Sequence, residues 1–371
     1  MFEKRGPITI LIALALLTLL LISNTVLATP SFVDPTLYNN TLTSNTTITI
    51  NISIPDPVIT NITYNWNGSN YTMYDNSTTL LHMGFNNLSG IGENATSAVD
   101  VSSRQRNGTI TGAIFNATGR YGGSYSFMGG NEYIQTDRSF MNNLSTFTVA
   151  GWVYVEASGS RIGFFGQNDA VEFGYIDSTT LELWTPDGGS VAWVINNAIF
   201  PQNQWNFVTV TANNQTAPYL NLYINAISRA TGGSLTDTFG NSVSNFSIGG
   251  RVWDPTNNNF TGMIDEVMVF NRTLSADQVY ELYTSNLYKY HANQWYLSIN
   301  QSQNATNTLN NGTYTYQIFT TNTTGTQDNT PQWFLRIGQL PNIPEWGTIG
   351  LLVIISITLS SYFYHSRKYL P

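Results

Sequence analysis

Phe260-Thr261-Gly262-Met263-Ile264-Asp265-Glu266-Val267-Met268-Val269-Phe270-Asn271-Arg272-Thr273-Leu274-Ser275 runs from an apolar strand into the start of a helix. Apolar and β-branched residues fill 264–270 around two acids, Asp265 and Glu266, which predicts a strand. Ser275 then stands as an N-cap. Gln278 follows three residues on, and Leu274 can staple to Val279, so a short helix is expected to about Tyr283. It is too short for anything but packing. Elsewhere between the termini there is almost no helical periodicity. Short β-branched and aromatic runs alternate with Gly, Asn and Asp turns, the pattern of an all-β sandwich or barrel.

Working outward, Phe147-Thr148-Val149-Ala150-Gly151-Trp152-Val153-Tyr154-Val155 is apolar on both faces and reads as a central strand covered on each side. A further strand is expected at 205–211. Leu220-Asn221-Leu222-Tyr223-Ile224 alternates cleanly before a turn at Asn225-Ala226. The chain also carries Leu80-Leu81-His82-Met83-Gly84-Phe85-Asn86-Asn87, then Gly119-Arg120-Tyr121-Gly122-Gly123-Ser124-Tyr125-Ser126-Phe127, Tyr133-Ile134 and Ile248-Gly249-Gly250. In this order the segments resemble the laminin-G-like, concanavalin A-like jelly roll over residues 76–287. The resemblance implies a lectin-like sandwich, and jelly rolls of this kind often hold a structural calcium at a sheet edge. On that basis Asp100, Asn107 and Asp265 are the candidate Ca2+ ligands. The family's first acid usually lies in an Asp-x-Ser-Gly-x-Gly-Asn turn. Here the turn reads Asp100-Val101-Ser102-Ser103-Arg104-Gln105-Arg106-Asn107-Gly108, with arginines among the usual small residues, and Asn86 stands where Asp is common.

The flanks alternate like strands too. Thr47-Ile48-Thr49-Ile50-Asn51-Ile52-Ser53-Ile54 and Ile59-Thr60-Asn61-Ile62-Thr63-Tyr64-Asn65-Trp66 lie on one side of the jelly roll. Gln294-Trp295-Tyr296-Leu297-Ser298-Ile299, Gly312-Thr313-Tyr314-Thr315-Tyr316-Gln317-Ile318-Phe319 and Trp333-Phe334-Leu335-Arg336-Ile337 lie on the other. Neither flank has enough strands for an independently stable sheet. Together they suffice for a small immunoglobulin-like sandwich formed from 44–75 and 288–338, with the jelly roll inserted in one of its loops; the alternative is a pair of flanking extensions on a single sandwich.

The chain ends fix the expected compartment. Glu3-Lys4-Arg5, the apolar run 8–22 and Val26-Leu27-Ala28 form a signal peptide over 1–28. A linker at 339–348 precedes an apolar span at 349–364, and the basic tail 365–371 places the C-terminus in the cytoplasm by the positive-inside rule. Pro344-Glu345-Trp346 before this span resembles the sorting tails of exosortase and archaeosortase substrates, which implies a sorting enzyme as partner. Twenty Asn-x-Ser/Thr sequons occur, among them Asn39, Asn45, Asn61, Asn94, Asn143, Asn259, Asn300 and Asn322, each a potential glycan acceptor on an exported chain.

Composition narrows the function classes. Only 10% of the 371 residues are charged and the net charge is −8, which argues against a nucleic-acid partner. With no cysteine there is no disulfide scaffold, Cys-ligated zinc or thiol nucleophile, and an exported chain without disulfides points to a prokaryotic, archaeal-type surface. Retaining glycosidases need two carboxylates about 5–5.5 Å apart. The laminarinase-like Glu-x-Asp-x-Glu pattern is absent, Glu172 and Asp177 do not fit, and Asp265 and Glu266, adjacent on a strand, should point to opposite faces. A non-catalytic surface glycoprotein is therefore expected, recognising carbohydrate, or alternatively building the envelope through protein contacts. Trp152 and Trp205 sit in core strands. Trp184, Trp193 and Trp253 lie near turns and are the candidate sugar-stacking residues.

Overall fold

The computed structural model describes residues 29–253 and 259–339. The expected signal peptide, Pro344-Glu345-Trp346, the apolar span and the tail lie outside them. Among the described residues no helix is long and apolar enough to cross a membrane.

Two eight-stranded antiparallel sheets make the larger sandwich. The first runs Ile227–Gly232, Leu220–Ile224, Trp205–Asn213, Thr146–Ala157, Thr261–Phe270, Ser124–Met128 and Ile114–Asn116, with Thr79–Met83 also paired to Thr261–Phe270. The second runs Gly189–Val194, Thr180–Thr185, Val171–Asp177, Ile162–Gln167, Phe246–Ile248, Tyr133–Thr136, Gly108–Thr111 and Ser97–Ala98. Alternation decides which residues meet between them. Phe147, Val149, Val153 and Val155 face inward with Phe164, Phe165, Phe173, Val208 and Val267 in one core. Gly151 leaves room for the facing sheet, because a Cβ there would lie 2.9 Å from the Phe165 ring.

The opposite face of Thr146–Ala157 is apolar as well, and the helix Ala276–Thr284 covers its end. Ala150, Trp152, Phe207 and Met268 form a second layer with Leu274, Val279 and Leu282. Trp152 stacks on Tyr283 at 5.5 Å. The helix begins where the sequence places it: the Ser275 side chain accepts from the Gln278 backbone N–H, and the Gln278 side chain closes the reciprocal bond.

A smaller sandwich is assembled from both flanks. Its first sheet runs Ser31–Val33, Ile48–Ile54, Gln294–Gln301 and Ser285–His291. Its second runs Thr41–Thr43, Trp333–Ile337, Gly312–Asn322, Ile59–Trp66 and Ser69–Asp75, with Gln327–Asn329 on Gly312–Asn322. Every second residue of Ile48–Ile54 is buried, so its four isoleucines pack on Trp295, Leu297, Ile299, Tyr64 and Ile318. Between Ile59–Trp66 and Ser69–Asp75 the turn uses Asn67 and Gly68, both at positive φ (51° and 88°), the combination that a two-residue hairpin requires.

Candidate functional site

The helix Ala276–Thr284 packs one side on the large sandwich, while its free side approaches the small one. A cleft of about 710 Å³ opens at this junction. Asp277, Tyr280 and Glu281 come from the helix, Trp66, Tyr71 and Tyr314 from the small sandwich, and Ala226 and Ser228 from a turn of the large one and the strand that follows it. The segment 301–310 closes the far wall with Gln301, Asn304 and Asn310. Trp66 and Tyr314 are stacked, 5.3 Å between centroids and 15° between planes, with Tyr64 continuing the stack behind Trp66. The Tyr314 hydroxyl donates to the Asn310 carbonyl at 2.9 Å, Tyr280 and Ser302 share a hydroxyl–hydroxyl bond, and the Ser302 hydroxyl bonds the Asn304 carbonyl oxygen at 3.0 Å. The walls are thus fixed before any ligand arrives.

Glu281 supplies the ionisable group. Burial pushes its carboxyl up to about 7, against a weak opposing bond from Gln301 Nε2 at 3.5 Å, and Asp277 one turn earlier pushes the same way. Near neutrality the group is partly a neutral acid, able to donate as well as accept a hydrogen bond. Aromatic rings, four amides including Gln303, hydroxyls and two carboxyls converge in a cavity of ligand size. Such a lining matches a sugar, whose C–H face stacks on rings while its hydroxyls take polar partners.

The tryptophans expected to bind sugar are placed differently. Trp193 lies opposite Leu181, on the core side, and packs against the main core. Trp184 lies opposite Ser190 on the other face, so the two cannot form one platform. Trp253 is only 4% exposed, with the Arg161 guanidinium 5.1 Å from its ring centroid; the expectation of an open stacking surface there is corrected by this burial. Asn168 Nδ2 donates to both the Trp253 carbonyl and Glu172 Oε1, at 3.0 Å each, and Glu172 is opposite Trp184 in register. Burial pushes Glu172 up to about 7.

The expected calcium ligands are not brought together as a site. Asp100 is buried and already saturated. Its oxygens accept from the His82 and Ser102 backbone N–H groups at 2.9 Å, and from the Ser102 hydroxyl and the Arg106 N–H at 2.8 Å. Asn107 Oδ1 accepts from the Asp100 N–H at 3.0 Å, which locks the turn on itself. Asp265 bonds elsewhere, accepting from the Tyr121 N–H at 3.0 Å, and its Oδ1 has no partner. Among the described residues no three His, Asp or Glu side chains cluster in a metal-holding group. The turn backbone explains part of this, since the Arg106 main-chain N–H takes an oxygen that a cation would need, while its guanidinium bonds the Leu80 carbonyl. The set Asp100, Asn107 and Asp265 does not fit calcium.

Asp265 and Glu266 also depart from simple strand alternation. Glu266 has a φ of 52°, and Glu266 and Val267 together face Gly151 alone, since Asp265 pairs with Trp152 and Met268 with Ala150. This bulge couples the two acids instead of separating them to opposite faces. Both are buried, and both carboxyls are held well above the usual range, Asp265 by desolvation and then by Glu266. Asn286 Nδ2 donates to Glu266 Oε1 at 2.7 Å. His82, pushed down to about 4 by burial, lies 3.8 Å away as a neutral neighbour.

Sequence reasoning passed over Trp66, Tyr71, Tyr314 and Glu281. One local signal existed: Trp66 ends its strand at an Asn-Gly turn, where an aromatic side chain reaches the rim of a sheet. Its partner Tyr314 belongs to the other flank, and only strand pairing joins them.

With this geometry in view, comparison with known proteins bears on the large sandwich. Residues 128–280 match the family model described as the concanavalin A-like lectin/glucanases superfamily. Similar solved structures include domain 4 of AbnA, a GH43 extracellular arabinanase from Geobacillus stearothermophilus, in complex with arabinotriose. It is 21% identical, over 54% of this chain and 96% of that one, with a TM-score of 0.38. The binding domain of botulinum neurotoxin serotype D is 15% identical, over 59% of this chain and 55% of that one, at 0.41. The binding domain of botulinum neurotoxin DC in complex with SialylT is 13% identical, over 68% and 73%, at 0.41. None of the curated proteins compared matches the chain. The family match thus covers 128–280, within the large sandwich and its following helix, and not the small sandwich.

Proposed function

We propose that this protein is a non-catalytic cell-surface glycoprotein that recognises carbohydrate, with the junction cleft as its binding site. The observation that carries this reading is the half-buried Tyr71 and Tyr314, the latter backed by the buried Trp66, lining one cavity with Gln301, Asn310 and Glu281. In this proposal the jelly roll is an insertion in a small immunoglobulin-like stalk, and residues 349–364 anchor the chain in the membrane with its bulk outside. A glycan array on the full chain, produced in a host that adds no N-linked glycans, followed by calorimetric titration of any hit, tests it. Tyr314→Ala and Asn310→Ala should each weaken binding at least tenfold, about 1.4 kcal/mol. Trp184→Ala should leave it unchanged. Equal loss in Trp184→Ala, or silence on every glycan, rejects the cleft.

One observation favours a hydrolytic second reading. Asp277 and Glu281 stand one helical turn apart in the same cleft, and Glu281 is partly protonated near neutrality as a general acid must be. Reducing-sugar release from polysaccharides that is lost in both Glu281→Gln and Asp277→Asn would support it. No release from any polysaccharide ends it.

A further inference from the structure

The wall of the cleft contains a modification signal. Asn304-Ala305-Thr306 is a sequon, and both Asn304 and Thr306 line the cavity. Asn304 Oδ1 accepts three hydrogen bonds: from the Thr306 N–H and hydroxyl, both at 2.9 Å, and from the Asn307 N–H at 3.0 Å. Nδ2, the atom that a glycan would occupy, has no protein acceptor among the described residues, and the side chain is exposed. The same arrangement recurs at Asn322, whose Oδ1 accepts from the Thr324 N–H and hydroxyl and from the Thr326 N–H. Asn322 does not line the cleft. At Asn94 and Asn116 the Oδ1 bonds to the sequon threonine are the same, but Nδ2 is taken, donating to the Gly92 carbonyl and to the Met263 sulfur at 3.3 Å each, and Ser247 of Asn245-Phe246-Ser247 is fully buried.

We infer that Asn304 is a glycan attachment site, and that its glycan lies over the junction cleft as the cleft's first occupant. Attachment joins Nδ2 to C1 of an oligosaccharide carried on a polyprenyl phosphate or pyrophosphate donor. The Nδ2–C1 bond forms, the C1–O bond breaks, the lipid phosphate leaves, and the Nδ2 proton passes to a base of the transferring enzyme. The sugar nearest the chain is then tethered beside Trp66, Tyr314 and Asn310. A tether of this length gives an effective concentration in the millimolar range, enough to hold a weak ligand in place and to exclude free ones.

The inference rests on the carbohydrate reading of the cleft, and the test separates the two. Full-length protein from its source cells is digested, and the peptide containing Asn304 is weighed. Glycan mass is expected, lost in Asn304→Gln and in Thr306→Ala; a bare peptide overturns the inference. Calorimetric titration with neutral di- to tetrasaccharides of hexoses and pentoses then compares the variants. Asn304→Gln and Thr306→Ala should bind at least tenfold more tightly than the parent, and Asn322→Gln should match the parent. Equal affinity in all forms overturns the occupancy of the cleft by its own glycan while leaving the cleft a sugar site. No binding by any form rejects the carbohydrate reading, and this inference with it.

Discussion

The two sandwiches bury similar kinds of residue but are put together differently. The large one takes all its strands from one continuous stretch, Thr79–Met83 through Thr261–Phe270. The small one sets Ile52 opposite Leu297 and Ile62 opposite Thr320, on either side of that stretch. Closing so long a loop from an unfolded chain is entropically costly and slow. The large sandwich removes most of that cost. Its first and last strands pair with each other, Thr79 opposite Phe270 and Leu81 opposite Val269, and the Asn271 N–H donates to the Thr78 carbonyl at 2.9 Å. Once it is folded, the two flanks leave it side by side, and the small sandwich needs only a short closure. The dependence should run in one direction.

The most severe test places a charge in each core. Leu297→Asp, at a fully buried site of the small sandwich, should cost more than about 4 kcal/mol and abolish the small sandwich's unfolding transition. The large sandwich should keep its own transition in calorimetry. Val267→Asp, equally buried in the large core, should remove both. A small sandwich that still folded in Val267→Asp would break the argument.

Next in size is a pH effect that marks each sandwich separately. Glu172 belongs to the large one and Glu281 to the helix facing the small one, and burial raises each from about 4.5 to about 7. An acid raised on folding binds its proton more tightly in the native state. Its contribution to stability is complete below 4.5 and fades as pH rises through 7, by about 3 kcal/mol for a buried group. Glu281→Gln should flatten this loss in the transition that involves the helix and small sandwich, and Glu172→Gln in that of the large one. Urea unfolding at pH 4.5 and pH 8 measures both. If either variant flattens both transitions, the sandwiches unfold as one unit.

Legibility in the sequence follows the same division. The large sandwich could be read because each strand and turn is a local pattern: the apolar run at 147–155, the alternation of 220–224, the Ser275–Gln278 cap. The alternating flanks were visible too, yet the cleft between them and the helix was not. Trp66 and Tyr314 are neighbours only through a pairing between distant strands, and Glu281 gains its raised pKa from burial, which the Gln301 bond only partly offsets. Trp253 departs from its turn-like sequence for the converse reason: the chain buries its ring, with the Arg161 guanidinium over it, while Asn168 holds its carbonyl. The Asp265–Glu266 pair misled because a bulge cancels strand alternation, and one residue at positive φ is not written in a periodic pattern.

A smaller effect concerns the coupling between the sandwiches. The helix Ala276–Thr284 packs on both, so losing its N-cap should loosen their connection without unfolding either. Ser275→Ala is expected to cost about 1 kcal/mol. If the helix couples the two, their melting temperatures should move apart. A uniform drop in both would mean that the cap serves overall stability and not the junction.

The smallest expected effect is that of salt. Surface ion pairs contribute roughly 0–1 kcal/mol each, and at 1 M salt the screening length falls to about 3 Å. Among the described residues two acid–base contacts occur within 4.0 Å. One is the exposed pair Asp137–Arg138 at 3.4 Å, and the other joins His82, pushed down to about 4 by burial, and Glu266, whose carboxyl burial pushes up, so burial disfavours the charged form of each. Hydroxyls and carboxamides do the work that charges do on most surfaces, as in the Asn304 and Asn322 turns, and their hydrogen bonds are not screened by ions. Raising NaCl from 0.05 to 1 M should therefore shift neither unfolding free energy by more than about 0.5 kcal/mol. Arg138→Ala should be equally silent. A larger salt response confined to one sandwich would mean that charge holds it together, and the two would then differ in their forces as well as in their assembly.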